Sequence, residues 1–174
     1  MSVLLLDRDG TLMVDVGYPN DPARVRLIPG AASSMRELAR AGFRLAIVSN
    51  QSGLSRGLIT YDQYRAVHEQ FNQLFERASG QSIPAFYCLH GVDEGCDCRK
   101  PKPGLLTQAL RELGLENQPV VMIGDKPSDV AAGIAIGAKT VWLSFGREYP
   151  ANEPAPDFIA EDWTAAKNWL LMRG

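Results

Sequence analysis

The sequence predicts a single doubly wound α/β domain built around a central parallel sheet. Five short apolar runs occur along the 174 residues, and they are continuous rather than alternating, as in strands covered on both faces. Segments with helical periodicity lie between most of these runs, and alternating strands and helices are typical of βαβ units. A chain of this length suffices for one well-buried domain, so we treat residues 1–174 as one unit.

Five apolar runs are predicted to form the strands of the sheet. They are VLLL (3–6), RLAIV (44–48), AFYCL (85–89), VVMI (120–123) and TVWLSF (140–145). The segment ANEPAPDF (151–158) is predicted to be a surface connection rather than a linker between domains. The chain contains no internal repeat and no low-complexity segment, which also favours one domain.

The predicted helices fill the intervals between the strands. Met35, Leu38 and Ala39 have i, i+3, i+4 spacing, and Thr60 with Gln63 forms a capping box at the start of a longer helix. Two more helices are predicted at 104–113 and 128–136, and a last one from an Asp162 N-cap to about Met172. Glycines follow the first four helices, at Gly42, Gly80, Gly114 and Gly137.

The composition excludes several classes of protein. The net charge is −2 without a long basic run, so nothing favours nucleic acid or an anionic membrane as a partner. No apolar stretch approaches the roughly 20 residues that a bilayer span needs. The start, MSVLLLDRDG, lacks a basic region, and its apolar run is too short for a signal peptide. We therefore expect a cytoplasmic protein, monomeric by default, that acts on a small molecule.

Polar clusters follow three of the predicted strands. DRDGT (7–11) follows the first strand, SNQSG (49–53) the second and GDKPSD (124–129) the fourth. In an open parallel sheet, ligands bind beyond the carboxyl ends of the strands, where these clusters would meet. Carboxylates gathered at one point remain ionised only if a cation compensates them, and hard oxygen ligands favour Mg²⁺.

The spacing of Asp7 and Asp9 is suited to phosphoryl transfer. A carboxylate beside Mg²⁺ can attack a phosphoryl group, and residues i and i+2 of an extended segment point to the same side. The second acid can then protonate the leaving alkoxide and activate water. Gly10 allows a sharp turn after both. Each cluster alone also fits a turn, the fourth-strand cluster with Ser128 as a helix N-cap, but three of them at strand ends favour a site.

These motifs resemble those of the haloacid dehalogenase superfamily of phosphotransferases. LLLDRDGT is similar to the first motif, VSNQSG to the second and IGDKPSD to the fourth, and the likeness extends from residue 3 to about 146. The resemblance implies that Asp7 is the nucleophile and Asp9 the general acid and base. It further implies that Ser49 binds the transferring phosphoryl, and that Mg²⁺ is held by Asp7, the Asp9 carbonyl and Asp125.

The stretch CLHGVDEGCDC (88–98) contains all three cysteines of the chain. Cys88, His90, Cys96 and Cys98 offer three thiolates and an imidazole, which can form a closed, structural Zn²⁺ site. Clustered cysteines in a cytoplasmic protein more often bind metal than form disulfides. The alternative, a buried strand cysteine with two incidental loop thiols, stays open. The other histidine, His68, is assigned no role.

The zinc loop narrows the resemblance within the superfamily. Arg99 and Lys100 follow the last cysteine and would supply the cations of the third motif. Such a loop is similar to those of D,D-heptose 1,7-bisphosphate 7-phosphatases and of histidinol-phosphate phosphatases, which have no large cap domain. The 39 residues between Asp9 and Ser49 also leave no room for a large cap.

The segment VDVGY favours the heptose phosphatases, since it is similar to their substrate loop. That likeness implies a Mg²⁺-dependent phosphatase that removes the 7-phosphate of D-glycero-D-manno-heptose 1,7-bisphosphate, in the synthesis of lipopolysaccharide or another surface polysaccharide. It implies substrate contacts from Asp15, Val16, Gly17, Tyr18, Ser49, Asn50, Gln51, Ser52, Arg99, Lys100 and Lys126. Arg99 would recognise the second phosphate or the hydroxyls, and Lys100 would steady the transferring phosphoryl.

Three other interpretations compete with this one. Histidinol-phosphate phosphatase is the alternative activity, because the short zinc loop and Thr11 depart from many heptose enzymes. A receiver-type signalling domain also gathers acids and a lysine around Mg²⁺, but an acid two residues after the nucleophile would speed hydrolysis of the aspartyl-phosphate. A zinc-stabilised binding module with a degenerate site is disfavoured because every expected catalytic residue is present. The preferred anomer stays undecided.

Overall fold

A computed structural model describes residues 2–173 and contains six parallel strands in one sheet. The strands are β1 (Val3–Leu6), β2 (Arg44–Asn50), β3 (Ala85–Cys88), β4 (Val120–Gly124), β5 (Lys139–Leu143) and β6 (Phe158–Ala160). Their order in space is β3-β2-β1-β4-β5-β6, and every neighbouring pair is parallel. The predicted fold class and the first five strands are confirmed. The sixth strand was not predicted. Its first residue, Phe158, was assigned to the surface connection, and the next two residues were assigned to no element.

Five helices cover the two faces of this sheet. They are α1 (Ala31–Arg40), α2 (Tyr61–Ser79), α3 (Gly104–Glu112), α4 (Pro127–Ala135) and α5 (Trp163–Leu171). The predicted capping box is present, with the amide of Gln63 donating to Thr60 Oγ1 and the amide of Thr60 to Gln63 Oε1. The N-cap of α4 is Lys126 rather than Ser128, because the Asp129 carboxylate accepts the Lys126 amide and starts the helix earlier.

The hydrophobic core lies on both sides of the sheet, which explains why the strand sequences are continuously apolar. Leu4 and Leu6 of β1 pack on the side of α1, α2 and α5, whereas Val3 and Leu5 pack on the side of α3 and α4. Successive strand side chains alternate between faces, so a strand buried on both faces has no polar position. None of the helices in the described part of the chain combines the length and hydropathy that crossing a bilayer requires.

The strand order brings the three polar clusters to one edge of the sheet. The central strand β1 lies between β2 and β4, with Leu6 in register with Ile47 on one side and Ile123 on the other. The first residues beyond these strands therefore meet at a topological switch point, the position at which open α/β sheets bind ligands.

Candidate active site

The loop after β1 turns tightly beneath the carboxylate of Asp125. The Asp7 amide donates to the Ile123 carbonyl at 3.0 Å, which continues the pairing of β1 with β4 for one residue. Gly10 then has φ of +84°, and a Cβ at this position would lie 2.5 Å from Asp125 Oδ2. Only glycine fits this backbone conformation and this contact without strain. The glycine thus lets the loop approach the acid at the end of β4.

Three carboxylates form a buried acidic cluster at the ends of β1 and β4. Oxygens of Asp7, Asp125 and Asp129 lie within 4.8 Å of one another, and the three residues are only 1–5% exposed. Burial and the neighbouring Asp7 charge raise the pKa of Asp125 to about 6. Its Oδ1 is buried and accepts no hydrogen bond from the described residues. Clustered carboxylate oxygens, one of them without a hydrogen-bond donor, are the ligands that a hard divalent cation binds.

Lys100 supplies the main compensating charge within this cluster. Its Nζ lies 2.9 Å from Asp7 Oδ1 and 2.6 Å from Asp129 Oδ1, and it donates to the Val48 carbonyl at 2.8 Å. Burial alone would raise the pKa of Asp7, but the Lys100 ammonium outweighs it and holds that pKa below its ordinary value. Burial keeps the pKa of Asp129 above its ordinary value even beside Lys100.

Asn50 fixes the backbone that carries Lys100 to this position. Its amide nitrogen donates to the Lys100 carbonyl at 3.0 Å, and its oxygen accepts the Lys100 amide at 3.1 Å. This pair of bonds joins the end of β2 to the segment after the predicted zinc loop. The predicted third-motif lysine therefore meets the first-motif aspartate, although 93 positions separate them in the sequence.

The Asp9 carboxylate lies outside the group of mutually close oxygens formed by Asp7, Asp125 and Asp129, and hydrogen bonds from Arg8 and Gln51 hold it. Arg8 Nε donates to its Oδ1 at 2.8 Å, and Arg8 Nη2 to its Oδ2 at 3.1 Å. Gln51 Nε2 donates to Oδ2 at 2.7 Å and to Ser49 Oγ at 3.2 Å. The chain turns directly after Asp9, where the Gly10 amide donates to the Met13 carbonyl.

The predicted substrate loop forms the exposed rim of the site. Asp15 accepts the Gly17 amide and pairs with Lys126 Nζ at 3.0 Å, so the loop is tied to the turn after β4. Tyr18 OH accepts a hydrogen bond from Arg56 Nη1, and Val16 and Tyr18 are exposed. Burial alone would lower the pKa of Lys126, but Asp7 and Asp15 raise it above its ordinary value.

The remaining predicted substrate residues lie at the end of β2 or precede Lys100 in the chain. Ser49, Gln51 and Ser52 are buried at the end of β2. Arg99 is half-buried, and its Nη1 donates to the His90 carbonyl at 3.3 Å. The structure thus gathers these residues at the same edge of the sheet as Asp7.

The predicted zinc residues converge on one point beyond the end of β3. Cys88 Sγ lies 3.7 Å from Cys96 Sγ and 3.1 Å from Cys98 Sγ, and His90 Nδ1 lies 3.2 Å from Cys98 Sγ. Tetrahedral ligands with bonds of about 2.0–2.3 Å are spaced by roughly 3.3–3.8 Å. Burial raises the pKa of Cys88 to about 12, so its thiol stays protonated unless a metal displaces the proton. The four side chains fit a metal.

Three charged residues at the site were not predicted from the sequence. Asp129 belongs to a motif that was recognised, but an acid in the first turn of a helix is ordinary at the surface and gave no sign of burial. Arg147 follows β5 and lies 3.3 Å from Asp125 Oδ2, against the ring of Trp142. Arg8 stands between two aspartates, where local sequence suggests a solvated turn. These residues reach the site because the fold brings distant segments together, and a local sequence pattern does not show which segments meet.

The known proteins that this chain resembles in sequence agree on the kind of protein. A family model of HAD-hydrolase-like proteins matches residues 97–166. The D-glycero-beta-D-manno-heptose-1,7-bisphosphate 7-phosphatase of Pseudomonas putida is 36% identical over 178 residues, covering 98% of this chain and 100% of the relative. Its namesake from Escherichia coli K12 is 35% identical over 165 residues, covering 90% and 86%.

Solved structures agree with these sequence matches. A crystal structure of D,D-heptose 1,7-bisphosphate phosphatase from B. bronchiseptica, complexed with magnesium and phosphate, matches with a TM-score of 0.89 and 29% identity over 100% of both chains. The enzyme of the same name from Burkholderia thailandensis matches with a TM-score of 0.72 and 25% identity, covering 99% of this chain and 100% of that one.

Proposed function

The chain belongs to the haloacid dehalogenase-like hydrolases, and from this membership we propose that it is the phosphatase that removes the 7-phosphate of D-glycero-D-manno-heptose 1,7-bisphosphate. The observation that carries the chemistry is the Asp7 carboxylate, buried beside Lys100 and Asp125 at the end of the central strand. The relatives named for this activity, two of which match 97–98% of the chain, favour this substrate over histidinol phosphate.

Asp7 is the nucleophile of the proposed reaction. Lys100 keeps its pKa low, so the carboxylate is ionised and able to attack phosphorus. The attack forms an aspartyl-phosphate and releases the sugar oxygen. Lys100 is close enough to neutralise charge on the transferring group, and Ser49 at the end of β2 offers a hydroxyl to it.

Asp9 is the proposed general acid and base. It would protonate the departing sugar oxygen and then take a proton from the water that hydrolyses the aspartyl-phosphate. Because Gln51 contacts both Asp9 and Ser49, the second-motif side chains link the acid to the phosphoryl site.

The residues fit a catalytic Mg²⁺ held by the Asp7 carboxylate, the Asp9 carbonyl and Asp125. The unpartnered Oδ1 of Asp125 and its raised pKa indicate a site that lacks positive charge. When bound, Mg²⁺ would neutralise negative charge on the oxygens of the phosphoryl group. Lys126, which pairs with Asp15, would lie beside this ion and connect it to the sugar site.

The rim and the zinc loop are proposed to select the substrate. The sugar would lie against Asp15, Val16, Gly17 and Tyr18, with further contacts from Asn50, Gln51 and Ser52. Arg99, half-buried and next to Lys100 in the chain, would offer a planar set of donors to the second phosphate. A structural Zn²⁺ on Cys88, His90, Cys96 and Cys98 would order the loop that presents Arg99 and Lys100.

We further propose that the protein works as a cytoplasmic monomer in the synthesis of lipopolysaccharide precursors. The reduced, clustered thiols suit a reducing compartment. The net charge of −2 supports a small-molecule substrate rather than a polyanion.

Phosphate release in the presence of Mg²⁺ tests the proposed function. We expect strong preference for D-glycero-β-D-manno-heptose 1,7-bisphosphate over histidinol phosphate at equal concentration. The β anomer is chosen because the relatives are named for it. Asp7→Asn should release no phosphate above background, whereas Asp97→Asn, the same change on a side chain 96% exposed, should match wild type. Equal or greater turnover of histidinol phosphate would contradict the substrate assignment, and no turnover of either would contradict the activity.

A further inference from the structure

Arg8 is a fully buried cation between the two aspartates of the first motif. Its side chain is 0% exposed, and a buried charge persists only where it is paired. The guanidinium lies 5.3 Å from the ring centroid of Tyr87 and 5.9 Å from that of Phe71. Aromatic faces attract a cation at such distances. Two core side chains therefore form the wall against which Arg8 rests.

The wall behind Arg8 is itself held in place by hydrogen bonds. Tyr87 OH lies 3.0 Å from His68 Nδ1, and His68 Nε2 lies 3.0 Å from Asn72 Nδ2. These groups connect β3 to α2, so the orientation of the Tyr87 ring is set by two elements of the fold. His68, without a role in the sequence, belongs to this support.

The Asp9 carboxylate accepts two parallel hydrogen bonds from the side-chain nitrogens of Arg8. The third nitrogen, Nη1, is buried and bonds to no acceptor among residues 2–173. An unpaired buried donor costs about 1–3 kcal/mol, so Arg8 is a poor choice for stability alone. Its planar fork, however, fixes the rotation of a carboxylate as no lysine can.

The bonds to Asp9 leave one acceptor position open. A carboxylate has about four lone-pair positions. Arg8 occupies one on each oxygen, and Gln51 occupies a second on Oδ2. The position left on Oδ1 is the one at which Asp9 can exchange a proton with another group.

We propose that Arg8 is a positioning residue that aims this open position of Asp9 at the oxygen leaving the phosphorus. The inference rests on the proposed function, in which Asp9 protonates that oxygen. It assigns no contact between Arg8 and the substrate. Arg8 acts through the orientation of Asp9, and its aromatic wall keeps that orientation fixed.

The test compares esters that do and do not need a proton on the leaving group. The values of kcat/KM for phenyl phosphate and 2,4-dinitrophenyl phosphate are measured for wild type and Arg8→Lys, with acetyl phosphate, a mixed anhydride, as a second substrate that has a good leaving group. Phenolate leaves poorly without protonation, whereas dinitrophenolate and acetate leave readily. Because general acid catalysis contributes about 10²–10⁴-fold, we expect at least a tenfold fall for phenyl phosphate and less than about threefold for the activated esters.

The ratio of the two kcat/KM values does not depend on the fraction of folded enzyme, so partial unfolding of Arg8→Lys cannot mimic the result. Arg36→Lys is the matched control, since within residues 2–173 Arg36 donates to the carbonyls of Ala78 and Ser79 at the C-terminal end of α2, away from Asp9. Its ratio should equal that of wild type. Equal falls for all esters, or no fall for phenyl phosphate, would overturn the proposal. If the protein did not hydrolyse the heptose bisphosphate, but Arg8→Lys still changed the ratio of the phenyl and dinitrophenyl phosphate values, only the proposed substrate would be contradicted.

Discussion

At the scale of single residues, the acidic cluster depends on few cations. Lys100 contacts both Asp7 and Asp129, and burial alone would lower its pKa, but Asp129 and Asp7 raise it above its ordinary value. Arg147 pairs with Asp125 at the other side of the cluster. The ionisation of each group therefore depends on its charged neighbours, and removal of one acid should affect all the others.

Asp129→Asn should destabilise the protein by about 2 kcal/mol, because breaking one arm of a buried ion pair leaves Lys100 less compensated. The new side-chain amide would still be able to accept the Lys126 amide through its oxygen, so the start of α4 should persist. The measurement is urea unfolding at pH 7 without added Mg²⁺. Asp97→Asn, which removes an exposed pair with Lys102, should change stability by less than about 0.5 kcal/mol. Equal unfolding midpoints for the two variants would contradict the role given to Asp129.

At the scale of elements, the sequence predicted features that depend on residues close together in the chain. It missed features that depend on contacts between distant segments. The capping box of α2 and the run of β1 are local, and both occur as predicted. β6 has three residues with Ile159 exposed, so only its pairing with β5 makes it a strand. The same holds at the site: residues after buried strands were found, but the burial of Arg8 arises from packing against Phe71 of α2 and Tyr87 of β3.

Asp157 shows how such a short strand is held. Its carboxylate accepts the amide and hydroxyl of Thr140 and pairs with Lys139 Nζ at 2.7 Å, so it ties the segment before β6 to the start of β5. Burial alone would raise the pKa of Asp157, but the bonds from Lys139 and Thr140 outweigh it and lower the pKa below its ordinary value. The ionised form is therefore favoured by folding.

Asp157→Asn should lower the free energy of unfolding by about 1 kcal/mol at neutral pH. A depressed carboxyl pKa stabilises the fold above the unfolded value and loses that effect as the pH falls through the folded value. The difference between wild type and variant should therefore shrink below about pH 4, as measured by chemical unfolding from pH 7 to pH 3. Asp162→Asn is the control, because asparagine caps a helix as well as aspartate. A difference that grows in acid would refute the assignment.

At the scale of the whole molecule, the two proposed metal sites differ in how firmly the surrounding structure holds their ligands. Asp7 and Asp125 extend from central strands that are paired on both sides and packed on both faces. The zinc residues lie at the end of the edge strand β3, in a loop whose residues 92–95 are exposed. The sheet can thus preserve the first site without its ion, whereas the second depends on the proposed metal and on hydrogen bonds within its own exposed loop, such as those from Lys102 and Arg99.

Loss of the two metals should therefore have separable effects. Exchange into Mg²⁺-free buffer should abolish phosphate release while leaving the thermal midpoint of unfolding largely in place, because Lys100 and Arg147 offset part of the negative charge of the acids. Added Mg²⁺ should restore the activity. Cys96→Ala should bind less zinc, unfold at lower temperature and become sensitive to protease within residues 89–99.

Activity of Cys96→Ala should fall even with saturating Mg²⁺, since the loop that carries Lys100 to Asp7 is then no longer held. The measurements are metal content, thermal unfolding and phosphate release on the same preparations. Asp93→Ala, an exposed change in the same loop, is the control and should resemble wild type in all three. A zinc content equal to wild type in Cys96→Ala would contradict the ligand set. Full activity after zinc loss would show instead that Lys100 is held without the zinc loop, by the two backbone hydrogen bonds with Asn50 and by its own buried side-chain contacts.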